Sequence, residues 1–231
     1  MAAIPIRWGL GKLAERAAAA AAAAEAARRA TKDLPNTKTR EADCSQTPQA
    51  SECNQCKLGD GMVGQGATPR YIAKTNRINY DYQLQVANMF AAPEQFGYVR
   101  YGDNSNTIVN IDLSAVKDFF GTGGKYVTLE WIFGGIAFDG FWRGRCTVVE
   151  TKANFGSFFD EDGMPAKPFT PVVVAGWFKT YTKQAGVVSV AKPQGKLEWH
   201  FMDNVAYGVA VQAGIPATVA RFTPYIVGRF P

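Results

Sequence analysis

Short apolar runs, several with polar residues at alternate positions, fill the C-terminal half of the chain. Bounded by Gly, Pro and charged residues, they predict strands. The predicted strands are residues 126–133, 135–141, 145–152, 195–203 and 217–227. Apolar residues at helical spacing predict helices over 80–90, 172–190 and 205–214, and Ser114 could cap a short helix through Phe120. The order of these elements predicts an α/β fold around one sheet.

The N-terminal part of the chain has a different composition. Residues 12–32 are rich in Ala, with acidic residues early and basic residues late, which predicts a helix. We therefore expect three parts: a basic helical segment over 1–40, a Cys-containing linker over 41–69, and a folded body over 70–231. The sequence contains no run of eighteen strongly apolar residues, so we predict no transmembrane helix.

The net charge is unevenly distributed. Residues 1–40 contain eight basic and three acidic residues, so they carry the whole net charge of +5. The remaining residues are balanced, so the overall charge says little about nucleic-acid binding by the body.

Three of the four cysteines lie close together, at Cys44, Cys53 and Cys56. A structural zinc site needs four ligands, and only Cys146 and the single His200 could complete the set. The alternatives are a three-ligand or inter-chain metal site, reduced thiols, or one disulfide. For Cys146 we expect a buried core cysteine.

Three ionisable residues interrupt the apolar hairpin 136–152, namely Asp139, Glu150 and Lys152. Charge inside a strand needs a partner, a metal or a function. Two carboxylates side by side repel each other, and a hard divalent cation would relieve that repulsion. The alternative is an ordinary surface ion pair between Glu150 and Lys152. Asp139 reaches Glu150 only if the hairpin is splayed or twisted.

If these residues meet, they suit metal-dependent hydrolysis of a phosphodiester. Asp139, Glu150 and the main-chain carbonyl of Thr151 would hold Mg²⁺ or Mn²⁺. Lys152 would hold the attacking water or stabilise the negative charge of the transition state.

The motifs of this region resemble a known family. The blocks EW-x-F-x-G-x2-FDGF, C-x-V-x-E-x-K, FFDEDG, KPF and WHFM occur in order between residues 130 and 202. In these blocks the chain resembles the Tox-REase-5 family of restriction-endonuclease-like toxins. The resemblance implies a PD-(D/E)XK core with a mixed central sheet flanked by helices. It also implies cleavage of DNA with a divalent metal.

The resemblance also implies roles for particular residues. Asp139, Glu150 and Lys152 correspond to the catalytic and metal-binding positions, and Glu130, Gln83 and Gln184 to polar positions that line the site. Two departures are the long segment 94–125 and the absence of a second Gln one turn after Gln184. From their place in the sequence, the expected DNA contacts are Arg143, Arg145, Lys179 and Lys183.

The remaining expectations concern partners. The family implies an antibacterial effector made in the bacterial cytoplasm, delivered into target cells by a type VI-like system and neutralised by a cognate immunity protein. The N-terminal segment would dock a chaperone or delivery protein. The alternative function is a non-catalytic interaction domain that docks such a partner. Phe141 and Trp142 either contact bases or an inhibitor, or cap the core, and His200 is expected to be structural or on the surface.

Overall fold

The computed structural model describes residues 56–66, 72–73, 75–111 and 126–228. The predicted N-terminal helix 12–32, Cys44, Cys53 and the predicted helix 114–120 lie outside these residues. The division into three parts therefore stays a prediction for the N-terminal segment.

Three helices and eight strands form the described part of the chain. The helices are α1 (Arg77–Ala87), α2 (Thr170–Val188) and α3 (Asn204–Gln212). The strands are β1 (Met62–Gln65), β2 (Tyr98–Arg100), β3 (Tyr126–Phe133), β4 (Ile136–Phe138), β5 (Gly140–Trp142), β6 (Thr147–Lys152), β7 (Lys196–Phe201) and β8 (Ala220–Phe222). The prediction over 135–141 becomes two strands, β4 and β5, divided at Asp139. The last strand is much shorter than the predicted 217–227.

The strands form two sheets instead of the single one predicted. In the first, β3 pairs antiparallel with β1, β2 and β4. The second has the order β5-β6-β7-β8 and is mixed, because β5 is antiparallel to β6 whereas β6, β7 and β8 are parallel. The consecutive strands β4 and β5 carry the chain from one sheet to the other.

Residues 56–66 belong to the folded body, although the sequence predicted a linker there. β1 pairs with β3 over four residues, and Leu58 in the preceding 3-10 turn is fully buried. The indole N–H of Trp131 donates to the Leu58 carbonyl at 3.1 Å. A disulfide joins Cys56 to Cys146, immediately before β6. This segment looked like a linker because its few apolar residues find their partners far away in sequence.

Helices α1 and α2 cover opposite faces of the mixed sheet. Tyr82 and Val86 of α1 pack on Val149 of β6, whereas Trp177 of α2 packs on Phe201 of β7. Gly140 allows the close approach of α1, since a Cβ there would lie 2.7 Å from that of Ala87. Both helices therefore reach the C-terminal end of β6. In the described part of the chain, no helix combines the length and apolar character needed to cross a membrane.

Candidate active site

Asp139 lies between β4 and β5, opposite the end of β6. The antiparallel register pairs Gly140 with Val149 and Trp142 with Thr147, and its continuation sets Asp139 opposite Glu150. The hairpin does not need to splay, contrary to expectation, because its turn comprises residues 143–146 and includes Cys146 in a left-handed conformation with φ 47°. An ordinary hairpin register therefore brings the two acids together.

The Asp139 carboxylate is held by Thr151. Its Oδ2 accepts hydrogen bonds from the Thr151 backbone N–H at 2.6 Å and from the Thr151 hydroxyl at 2.5 Å. Burial, and secondarily the charge of Glu150, raise the pKa of Asp139 to about 7, against the opposing effects of Lys152 and Thr151. A carboxyl with this pKa exchanges its proton near neutral pH.

Glu150 is held on both of its oxygens. The Lys152 ammonium forms an ion pair with Oε1 and also donates to the Thr151 carbonyl at 3.2 Å. The Gln184 amide donates to Oε2 at 2.6 Å, and the Trp199 indole in turn donates to the Gln184 carbonyl at 2.8 Å. Glu150 and Lys152 do pair, but the pair is largely buried and not on the open surface.

These side chains line a cavity of about 430 Å³ at the end of β6. Asp139, Glu150, Thr151 and Lys152 form its floor. One wall comes from α1 through Asn79, Tyr80 and Gln83, and the other comes from α2 and the preceding loop. The residues of this second wall are Phe155, Val173, Gly176, Trp177 and Thr180. The structure thus brings together the proposed catalytic residues with Gln83, and it places Gln184 behind Glu150.

The donor set fits a hard divalent cation that keeps water and substrate ligands. Within the described ranges, no cluster of three His, Cys, Asp or Glu side chains could hold a metal by itself. Two carboxylates and the Thr151 carbonyl are hard oxygen donors, and Mg²⁺ is commonly bound by one or two carboxylates plus phosphate oxygens. The Lys152 ammonium lies on two of these three donors, Glu150 and Thr151. Its position shows that this part of the floor favours positive charge.

The four predicted DNA contacts differ in their surroundings. Arg143 is buried, donates to Glu94 at 2.7 Å and lies over the rings of Trp131 and Phe141. The prediction for Arg143 is therefore wrong, because its charge is engaged inside the fold. Arg145, Lys179 and Lys183 are exposed, with Arg145 over the Phe90 ring.

Other predicted residues do not line the cavity. Glu130 does not line the cavity and lies beside Gly66. Phe141 and Trp142 are fully buried, which favours the alternative that they cap the core. Cys146 is buried as expected, but it is in a disulfide and is not a free thiol.

His200 is structural. It is almost fully buried, with its Nδ1 2.8 Å from the Thr223 hydroxyl and its Nε2 3.2 Å from Glu198.

Two cavity residues, Asn79 and Thr180, were not among the site residues predicted from the sequence. Asn79 lies one helical turn before Gln83, and Thr180 lies one turn before Gln184. Helical spacing from these two glutamines could have indicated both residues, since positions four apart share a helix face.

The comparison with family models points to the same region. Residues 120–204 match the family Tox-REase-5, described as restriction endonuclease fold toxin 5. The matched segment contains β3 to β7, α2, and the proposed catalytic residues Asp139, Glu150 and Lys152. The chain therefore has a restriction endonuclease-like α/β fold, as the resemblance implied. No curated protein matches the chain.

Proposed function

We propose that this protein is a divalent-metal-dependent DNA endonuclease that acts as an antibacterial toxin. The observation that carries the proposal is the meeting of Asp139, Glu150 and Lys152 in one cavity, within a segment that matches a restriction endonuclease fold toxin. A module that only binds a partner has no need to bury two acids and a lysine together, since each charge costs free energy to desolvate.

Asp139, Glu150 and the Thr151 carbonyl would hold Mg²⁺ or Mn²⁺. When bound, the metal supplies charge neutralisation at the phosphate and a more acidic water. Thr151 fixes the orientation of Asp139, and Gln184 fixes that of Glu150. This support keeps both carboxylates in place before substrate arrives, as efficient electrostatic catalysis requires.

Lys152 would provide the positive charge for catalysis. Its ammonium is already next to Glu150 and over the face of Trp199, 4.5 Å from the ring centroid. With the metal on Glu150 and the Thr151 carbonyl, the ammonium would be released to hydrogen-bond an attacking water or an oxygen of the scissile phosphate, where negative charge grows in the transition state. Arg145, Lys179 and Lys183 are proposed to contact the DNA backbone outside the cavity.

The test of this function is cleavage of plasmid DNA by purified protein. We expect cleavage with Mg²⁺ or Mn²⁺ and none in EDTA. Asp139→Ala, Glu150→Ala and Lys152→Ala should each lower the rate at least ~100-fold, as loss of a group that stabilises transition-state charge does. Glu161→Ala, which removes an exposed acid, is the matched control and should cleave normally. Wild-type rates in the three site variants would contradict the assignment.

A cognate immunity protein and a delivery partner complete the proposal. The chain would be made in the bacterial cytoplasm, exported by a type VI-like system and active in the target cell, with the N-terminal segment 1–40 docking the chaperone or delivery protein.

The immunity protein would cover the cavity through exposed apolar side chains at its rim. Phe169 and Val172 are 50% and 73% exposed, next to Val173 in the cavity wall. Buried aromatic anchors dominate binding energy, so Phe169→Ala should weaken the complex at least ~30-fold. Calorimetry with the co-expressed partner measures this change, and unaltered affinity would exclude the rim as the interface.

A further inference from the structure

Helix α1 carries two kinds of polar side chain. On one side Gln85 is fully engaged, because its amide donates to the Pro224 carbonyl at 2.8 Å and its carbonyl accepts from the Ile226 backbone N–H at 2.7 Å. Asp81 is likewise engaged, by Arg77 and by the Tyr98 hydroxyl. These residues tie the helix to the rest of the fold.

Asn79 and Gln83, on the cavity side of α1, each have a buried side-chain atom without a hydrogen-bond partner among the described residues. Gln83 is only 6% exposed, and its amide nitrogen is buried without a hydrogen-bond partner among the described residues. In Asn79, one turn earlier, the carbonyl oxygen is also buried and has no partner in the described part of the chain. Both side chains line the cavity that contains Asp139 and Glu150.

A buried side-chain amide without a hydrogen-bond partner makes the free energy of folding less favourable. Most buried polar groups in proteins are satisfied. Two of them, four residues apart on one helix face and both in the wall of the proposed active site, would gain hydrogen bonds from a ligand bound in the cavity.

The surroundings indicate the chemistry of that ligand. The three residues that α1 contributes to the wall are Asn79, Tyr80 and Gln83, and none is charged at neutral pH. Neutral amides are common partners of phosphate and sugar oxygens, where they fix the position of a strand without reading its sequence. A half-turn of the Asn79 carboxamide presents an N–H in place of its carbonyl, so both residues can donate.

On the opposite wall, Trp177 offers a nucleobase no surface on which to stack. Stacking a base requires an open aromatic face, and Trp177 is 5% exposed with Phe155 and Phe201 against its ring.

We propose that Asn79 and Gln83 form a neutral clamp that binds the sugar–phosphate backbone of the substrate strand next to the scissile bond. The clamp rests on the proposed nuclease function. Asn79 and Gln83 are positioning residues: they hold the strand while the floor of the cavity carries out the reaction.

The clamp is tested by the variants Gln83→Leu and Asn79→Ala. The control is Gln212→Ala, because Gln212 is an exposed glutamine on α3 that lies outside the cavity. Loss of one hydrogen bond to an anionic phosphate should raise KM for DNA roughly tenfold, with a smaller change in kcat. In an Asp139→Asn background, fluorescence anisotropy should show a similar weakening for oligonucleotides of any sequence.

Thermal unfolding separates a clamp from a structural role. Because the Gln83 amide nitrogen has no partner among the described residues, Gln83→Leu should leave the Tm unchanged or raise it. A lower Tm that parallels the loss of binding would overturn the clamp. So would unchanged KM and affinity, or a change confined to particular base sequences.

Failure of the clamp and failure of the proposed function give different results. If the wild type cleaves DNA and Gln83→Leu and Asn79→Ala behave like it, only the clamp is overturned. If the wild type neither binds nor cleaves DNA with Mg²⁺ or Mn²⁺, both the nuclease function and the clamp are refuted.

Discussion

At the scale of single residues, the site is defined by how its two acids are supported. Asp139 accepts two hydrogen bonds from one residue, Thr151, whereas Glu150 is held by Lys152 and by Gln184. The sequence could indicate Asp139, Glu150 and Lys152 because charge is unusual in strands. It could not indicate the indole of Trp199 behind Gln184, since that contact depends on how α2 is placed over β7.

The raised pKa of Asp139 makes stability depend on pH. Its folded pKa of about 7 lies above the ordinary 3.8, so between these values the folded protein holds a proton that the unfolded chain has released. The free energy of unfolding should therefore fall as pH rises from about 4 to about 7, with a slope of at most about 1.4 kcal/mol for each pH unit.

Asp139→Asn removes this ionisation and should be more stable than the wild type above pH 7, with the difference disappearing near pH 4. Thermal melts in EDTA across this range measure the effect, with Asp162→Asn, an exposed acid, as control. A gap between wild type and variant that does not change with pH would contradict the raised pKa.

At the scale of elements, the hairpin β5–β6 and its turn divide the basic residues into two groups. Their apolar pattern predicted the strands, but pattern alone could not show that Arg143 turns inward. The guanidinium binds Glu94, 49 residues away, and lies over the rings of Trp131, on β3, and of Phe141, two residues earlier. Its neighbour Arg145, two residues later, stays on the surface.

The contrast between buried and exposed basic residues predicts different effects for two substitutions, one at Arg143 in the turn and one at Lys183 on α2. Arg143→Ala should lower the free energy of unfolding by about 3–5 kcal/mol, because it leaves the buried Glu94 unpaired. Lys183→Ala should leave stability unchanged and weaken DNA binding, most visibly at low salt. Chemical denaturation and anisotropy distinguish the two. Equal loss of stability in both variants would show that the lysine is structural too.

At the scale of the whole molecule, the sequence predicted the class of fold and the order of elements from Tyr126 to Phe201. The segment 56–66 escaped prediction because its strand β1 has few apolar residues and is stabilised by distant partners, β3 and the disulfide to Cys146. The cysteine spacing left several alternatives, since pairing cannot be deduced from sequence alone.

The disulfide should contribute strongly to stability. It links residues separated by 90 positions, and closing a loop of that length stabilises the folded state by about 4–5 kcal/mol in the chain-entropy description. Cys146→Ser, or reduction of the wild type, should lower the free energy of unfolding by a comparable amount. Denaturant titrations with and without reductant measure it, with reductant having no effect on the Cys56→Ser, Cys146→Ser double variant. A reductant-insensitive wild type would contradict the prediction.

The disulfide has one more consequence, for proteolysis. The turn at Asn104 and Ser105 is exposed and lies between the two bridged cysteines along the chain. A protease that cuts there divides the polypeptide, yet the fragment carrying Cys56 and the fragment carrying Asp139, Glu150 and Lys152 remain one covalent molecule. The two fragments stay covalently linked in any oxidising compartment and can separate only after the disulfide is reduced.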